Sequence, residues 1–370
     1  MPRTAEGRST PTLPDVARAA GVSTATAARA LGGYGSVRPE TRRKVQAAAA
    51  DLGYRANGLA RSLITGSTDT IGVVLADIEN SFFARALRGI ADTAHAAGFE
   101  VVLVNSDEDL DNERNAVRVL TEKRVDGLVV CPADARDISH LRTVHDAGIP
   151  LVLLDRRVPR LAADVVGIDN HAAAQEATAH LIAAGHTRVA LLTGGDPSLA
   201  AALQVPDLVG VERLAATTVG TRAAGYRDAL LAAGLPVDPV LVSVEGFHRA
   251  DAAAATHRLL GLPEPPTAIL ALDSLLALGV LQALRERGLT CPDDLSVIGF
   301  DDAEWALVSS PPLTVVAQPV YEIGAEACRL LLRRMHGGAH RAVRKVLPTS
   351  LIVRGSVGAP ARTRRSPASG

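Results

Sequence analysis

From Thr70 onward the chain repeats one pattern, and that pattern restricts the fold more than any other feature of its 370 residues. Short runs rich in Val, Ile and Leu alternate with longer, alanine-rich stretches of helical spacing. The runs lie at 71–76, 101–105, 127–131, 151–154, 165–168, 189–193, 241–244, 268–272 and 295–300. Runs of this length without polar alternation are buried on both faces, as in parallel sheets covered by helices. Strand and helix repeated in this order predict a doubly wound α/β architecture. Nine strands are too many for one compact lobe. We therefore expect two lobes with a cleft between them, the chain crossing near Asp169 and Asn170 and crossing back near Asp301. With 47% apolar residues the chain can fill a core of that size.

In sheets of this kind ligands bind beyond the carboxyl ends of the strands. Asp77, Asp107, Asp155, Asp273 and Asp301 each lie just after an apolar run. Aromatic residues are only 3% of the chain, yet Phe82, Phe83, Phe247 and Trp305 fall in the same post-strand segments. Carboxylates and arginines beside aromatic faces suit a small polar ligand such as a sugar or a nucleoside. An Asp after a strand is also a common helix N-cap, so any one of them is ambiguous. The set together predicts a site.

The region before Thr70 is different in kind. Residues 12–31, TLPDVARAAGVSTATAARAL, read as two short helices joined by a tight turn. Thr12 and Asp15 have capping-box spacing, and Pro14 sits in the first turn, where a missing N–H costs little. Gly21 suits the left-handed turn that ends a helix, and Ser23 caps the next one. Ala27, Ala30 and Leu31 form a small apolar stripe, which leaves Thr24, Ala25, Thr26, Ala28 and Arg29 facing outward. This is the pattern of a helix-turn-helix, whose second helix enters the DNA major groove. Arg29 is its one long cation, able to reach a guanine edge or a phosphate. A third helix is predicted from Pro39 through Val45, Ala48 and Leu52 to a stop at Gly53, with Arg38 as a poor cap. The stretch Tyr54 to Leu63, YRANGLARSL, reads as a further short helix with Asn57 as candidate cap, too short to be stable alone and expected to order only when bound. Residues 65–68 read as a linker. Residues 1–66 hold ten basic and four acidic groups, although the whole chain is nearly neutral. A basic head on an acidic body predicts a polyanionic partner at the head alone.

Other function classes find little support. Cys131, Cys291 and Cys328 are few and far apart, with neither zinc spacing nor a disulfide framework, which fits a reducing cytoplasm. No signal-peptide apolar region and no long apolar span stand out. There is no Walker A loop, GxSxG elbow or HExxH pair. His186, in a helix-ending AAGH turn, is read as structural. No metal and no cofactor are expected.

The chain resembles the lactose-repressor (LacI/GalR) family of bacterial transcription regulators. The resemblance runs from Thr12 to Ser356 and is carried by TLPDVARAAGVS, VRPETRRKV, IENSFF, KRVDGLVV, AAGHTRVALLTG, LSVIGFDD, PPLTVVAQP and LPTSLIVRGS. It implies a helix-turn-helix domain at 12–56, a hinge helix and linker at 57–68, and a periplasmic-binding-protein-like core at 69–356. Residues 1–11 and 357–370 are expected to be disordered. The lobes are expected at 69–168 with 301–328, and at 169–300 with 329–356. By position, Thr24, Ala25 and Arg29 would read bases, while Thr12, Ser23, Thr26, Tyr54 and Asn57 would touch phosphates or position the head. Leu63 would wedge into the minor groove. Phe82, Phe83, Asp155, Arg156, Arg222, Phe247, Asp273 and Trp305 would surround an effector. The implied partners are a pseudo-palindromic operator in double-stranded DNA, a small effector of sugar type and a second copy of the chain, with contacts near residues 81–94. The implied function is effector-controlled repression, not catalysis, and the competing reading is a cytoplasmic solute-binding protein that does not regulate DNA. The chain departs from the family pattern at Ala28, Gly32 and Ala56, and in a long segment at 196–221.

Overall fold

The computed structural model describes residues 11–32, 35–54, 66–195, 197–203, 217–337 and 341–360. It divides into two compact units, the first ending at Thr70 and the second holding almost everything after it.

Among the described residues the first unit contains three helices, α1 (Leu13–Ala19), α2 (Thr24–Gly32) and α3 (Pro39–Leu52). Their core is built from small side chains: Val16 and Ala17 of α1, Ala27 and Ala30 of α2, and Val45 and Ala49 of α3. Alanine at the contact points lets the helices approach closely. Asp15 Oδ2 accepts from the Thr12 hydroxyl at 2.6 Å and from its N–H at 3.0 Å, and these bonds hold the Asp15 carboxyl below the usual carboxylate range. Gly21, at φ 65°, turns the chain between α1 and α2, and Ser23 Oγ accepts from the Thr26 N–H at 3.2 Å. Gly53, at φ 67°, ends α3. Arg38 makes no side-chain capping bond, in keeping with its residue type.

The second unit contains two six-stranded sheets. Its strands are β1 (Thr70–Leu75), β2 (Glu100–Asn105), β3 (Gly127–Val130), β4 (Leu151–Leu154), β5 (Asp164–Ile168), β6 (Val189–Gly194), β7 (Val242–Glu245), β8 (Ala268–Ala271), β9 (Ser296–Phe300), β10 (Thr314–Ala317), β11 (Arg344–Leu347) and β12 (Ser350–Ile352). One sheet runs β11-β5-β4-β3-β1-β2 and the other β12-β10-β9-β8-β6-β7. The register is parallel at β1/β3, β3/β4, β4/β5, β5/β11, β6/β7, β6/β8, β8/β9 and β9/β10, and antiparallel where β12 joins β10. Strand order reverses at β1/β3 and at β6/β8, which opens a crevice at the carboxyl ends of each sheet. The nine apolar runs are β1 to β9.

The return path differs from the expected one. β10 stays in the second sheet, so residues 301–317 belong with that lobe rather than with the first. The helix Val320–Met335 then packs on Ser81–Ala96 and on β3, β4 and β5. β11 adds to the first sheet, and the chain crosses once more to place β12 in the second. Lobe membership here follows from which sheet edge is left open, a property of the assembled sheet that no local pattern carries. The expected disorder from residue 357 is also corrected as far as Pro360. The carbonyl of Gly358 accepts from His186 Nε2 at 2.9 Å, its N–H donates to Ser296 Oγ at 3.0 Å, and Pro360 is buried. His186, 1% exposed, also bonds Thr267 Oγ1 at 2.9 Å, which gives it a structural task.

Gly89 and Gly324 face each other where Ser81–Ala96 crosses Val320–Met335. A Cβ on Gly324 would lie 1.9 Å from the Ala86 carbonyl oxygen, and one on Gly89 would lie 2.1 Å from that of Tyr321. Both obstacles are backbone, so the helices themselves must move. Gly324→Ala is expected to destabilise the core by about 1–3 kcal/mol through overpacking, read as a lower urea midpoint. An unchanged midpoint would show that this crossing is looser than its geometry.

Candidate DNA-reading helix and ligand cleft

On α2 the side chains left out of the core form one face. Thr24, Ala25 and Arg29 are exposed, and Thr26 and Ala28 are half-buried. Arg29 donates from Nε to the Ala25 carbonyl at 3.2 Å, and its stem passes Gly35, where a Cβ would stand 3.1 Å from Arg29 Cδ. This contact aims the guanidinium along the helix without using it up. Thr12 and Ser23 are exposed at the starts of α1 and α2, and Tyr54 packs partly against the small core. Asn57, Leu63 and the rest of 55–65 lie outside the described residues.

A cavity of about 580 Å³ opens where the two lobes face each other. Phe82, Phe83, Asp155, Arg156, Arg222, Phe247 and Asp273 all line it, drawn from segments far apart in the chain. Phe82 and Phe83 meet edge to face, with ring centres 5.1 Å apart. Phe247 lies over Gly194, where a Cβ would come within 2.6 Å of its ring. Trp305 is not brought to this cavity. It sits in the short helix Glu304–Val308, partly buried against the core of the second lobe. The turn after Asp301 sends that helix back onto its own sheet.

Arg222 is 7% exposed and serves as the hub of the polar wall. Its Nε donates to Asn170 Oδ1 at 2.7 Å, its Nη1 donates to the Leu272 carbonyl at 2.7 Å, and its guanidinium lies 4.1 Å above the Phe300 ring. Asp273 caps the helix Ser274–Glu286 through the Leu275 N–H at 2.7 Å. Its other oxygen accepts from Asn80 Nδ2 across the cleft at 2.8 Å. Burial pushes the Asp273 carboxyl up. Asp301 follows β9 at φ 68° and accepts from Gln318 Nε2 at 2.7 Å. Burial pushes its pKa up to about 7, against the pull of Arg222 and with the push of Asp273. Thr218 donates to Asp155 Oδ2 at 3.2 Å, a second bond from lobe to lobe. Arg156 is held by Glu108 through two bonds of 2.5 Å each.

Asn80, Glu108, Thr218 and Gln318 belong to this site and were not among the expected residues. Asn80 carried a usable signal, because it stands just after an apolar run and before a helix, where an N-cap is expected; it accepts from the Phe82 N–H at 2.9 Å. The other three had none.

A family model described as bacterial regulatory proteins, lacI family, matches residues 12–57. One described as a periplasmic binding protein-like domain matches residues 178–357. The HTH-type transcriptional regulator DegA of Bacillus subtilis (strain 168) is 34% identical over 347 residues, 93% of this chain and 97% of DegA. The chain belongs to the lacI family of bacterial regulatory proteins. As a member of that family it is a DNA-binding transcriptional regulator, and the reading as a solute-binding protein without regulation falls away. Two solved structures of lacI-type regulators are similar along their length. The transcriptional regulator CelR–cellobiose complex is 33% identical, with a TM-score of 0.67, and the match covers 94% of this chain and 99% of CelR. The lac repressor dimer bound to operator and the anti-inducer ONPF is 27% identical, with a TM-score of 0.79, and the match covers 95% and 100%. No helix among the described residues is long and apolar enough to cross a membrane.

Proposed function

We propose that this lacI-family regulator is a cytoplasmic repressor without catalytic activity, which acts as a homodimer on a pseudo-palindromic operator and is controlled by a small sugar-type effector in the cleft. The observation that carries the effector part is the convergence of seven of the eight expected residues on one cavity between the lobes. Asn80–Asp273 and Thr218–Asp155 join the lobes at this same cavity. A ligand seated there competes with both bonds or adds to them, and so changes the closure of the lobes. A coupling of about 1–3 kcal/mol to the DNA-binding form is enough for control. The CelR structure holds cellobiose, which favours a saccharide over other polar ligands. Dimer contacts near residues 81–94 must use faces other than the one around Gly89, which the chain's own helix Val320–Met335 covers.

The test is DNA retardation with genomic fragments, with and without sugars that stabilise the protein to heat. A preferred fragment, released or retained more strongly when the sugar is added, is the expected result. Equal binding to all DNA at every sugar concentration would overturn the reading. Arg29→Ala is expected to weaken binding to the preferred fragment by about 1–3 kcal/mol and to flatten the preference. An unchanged ranking of fragments would remove Arg29 from base reading.

A further inference from the structure

We propose that the cleft selects an amine-bearing saccharide, its cationic nitrogen seated among the carboxylates of Asp155 and Asp301. This rests on the effector reading above and adds the charge of the ligand. Among the described residues, seven carboxylates line the cavity against two guanidinium groups. Both guanidinium groups are already engaged. Arg156 is tied by its two bonds to Glu108, and Arg222 is tied to Asn170 Oδ1 and the Leu272 carbonyl over the Phe300 ring. Arg156 is matched by a directly bonded carboxylate, and the single charge of Arg222 is shared between Asp273 and Asp301 beside it.

The carboxylates, in contrast, have spare capacity. Among the described residues Asp155 Oδ1 is buried and finds no hydrogen-bond partner. Asp301 is 6% exposed, lines the cavity, and among the described residues takes one hydrogen bond, from Gln318 to Oδ1. Burying acceptors without donors costs more than leaving them in water, and burying unpaired charge costs still more. Asp301 eases that cost by holding a proton near neutral pH, because burial and the neighbouring Asp273 and Asp155 disfavour its ionised form. A ligand ammonium group does the same work better, since one cation donates to two carboxylates and balances their charge. Hydroxyl groups of a neutral sugar supply donors but no charge. A phosphate or carboxylate on the ligand adds to the repulsion. The rings of Phe82, Phe83 and Phe247 supply the apolar wall for a sugar face, and their π-surfaces are compatible with a nearby cation. About 580 Å³ accommodates a mono- or disaccharide.

The experiment is thermal denaturation of the full chain at pH 6.5 with matched probes. These are glucosamine, galactosamine and the glucosamine disaccharide, each against glucose, galactose and cellobiose, with glucose 6-phosphate as the anionic arm. At least one amino sugar is expected to bind about tenfold more tightly than its neutral parent, and glucose 6-phosphate is expected to give no shift. Asp155→Asn is expected to weaken the amino sugar about tenfold more than its neutral parent, so that the preference is lost whatever happens to the common affinity. Neutral sugars that all bind as well as their amino counterparts, or binding of glucose 6-phosphate, would overturn the charge assignment and leave the effector reading standing. No shift with any probe would overturn both.

Discussion

Asp301→Asn is expected to stabilise the two-lobed core by up to ~4 kcal/mol at pH 8 and to change it little at pH 4. The sign follows from where the proton sits. In the folded protein the Asp301 carboxyl titrates at about 7, against an ordinary value of 3.8. Below both values folded and unfolded chains carry the proton alike. Between them the unfolded chain loses it and the folded chain keeps it, so stability falls as pH rises through this window. Above it the full cost of the buried charge is present. Asparagine cannot ionise and removes that slope. It also keeps a carbonyl oxygen for Gln318 Nε2, and it is among the residues that best tolerate the left-handed backbone at this position. Urea unfolding of both proteins at pH 4 and pH 8 reads the difference. Equal effects at the two pH values would show that Asp301 ionises as freely in the fold as in the unfolded chain.

How such a residue was legible in the sequence, and how far, can be stated from cases. Asp301 was found because a carboxylate directly after a buried run stands at the ligand-bearing edge of a parallel sheet. Its partner Gln318 was not, because β10 is four residues long between loops and its sheet became apparent only from pairing with β9. Phe82, Phe83 and Phe247 stood out in a chain with few aromatics, and the same reasoning failed for Trp305. An aromatic side chain after a strand can turn to the cleft or to its own core, and the direction of the next short helix decides which. β11 escaped notice for a different reason. Arg344 and Lys345 are exposed on an edge strand, so the run RKVL shows no buried period at all. The head was the most legible part, since caps, turn glycine and alanine contacts all act within a few residues of one another. Whatever joins the lobes was the least legible: Asn80 reaches Asp273 across 193 positions.

Arg222→Met is expected to cost the core about 3–5 kcal/mol at pH 8, more than most single changes elsewhere in this protein. Methionine fills much of the same volume, so the loss is one of charge and hydrogen bonds rather than of packing. Three partners are abandoned at once: Asn170 Oδ1, the Leu272 carbonyl and the face of Phe300. Leu272 and Asn170 stand at the bases of the two helices that carry Asp273 and Asp169, so the loss reaches the backbone that shapes the cleft. Asp273 and Asp301 also lose the guanidinium that favours their ionised forms. The Asp301 proton is then held to higher pH, and the pH-dependent loss of stability extends further upward from the same lower end. A double-mutant cycle separates this electrostatic part from the lost bonds. In the Arg222→Met background, Asp301→Asn is expected to give back more stability at pH 8 than it gives in the parent, because it removes a charge that has lost its counter-ion. Strict additivity of the two substitutions would mean that Arg222 holds the cleft through its hydrogen bonds alone.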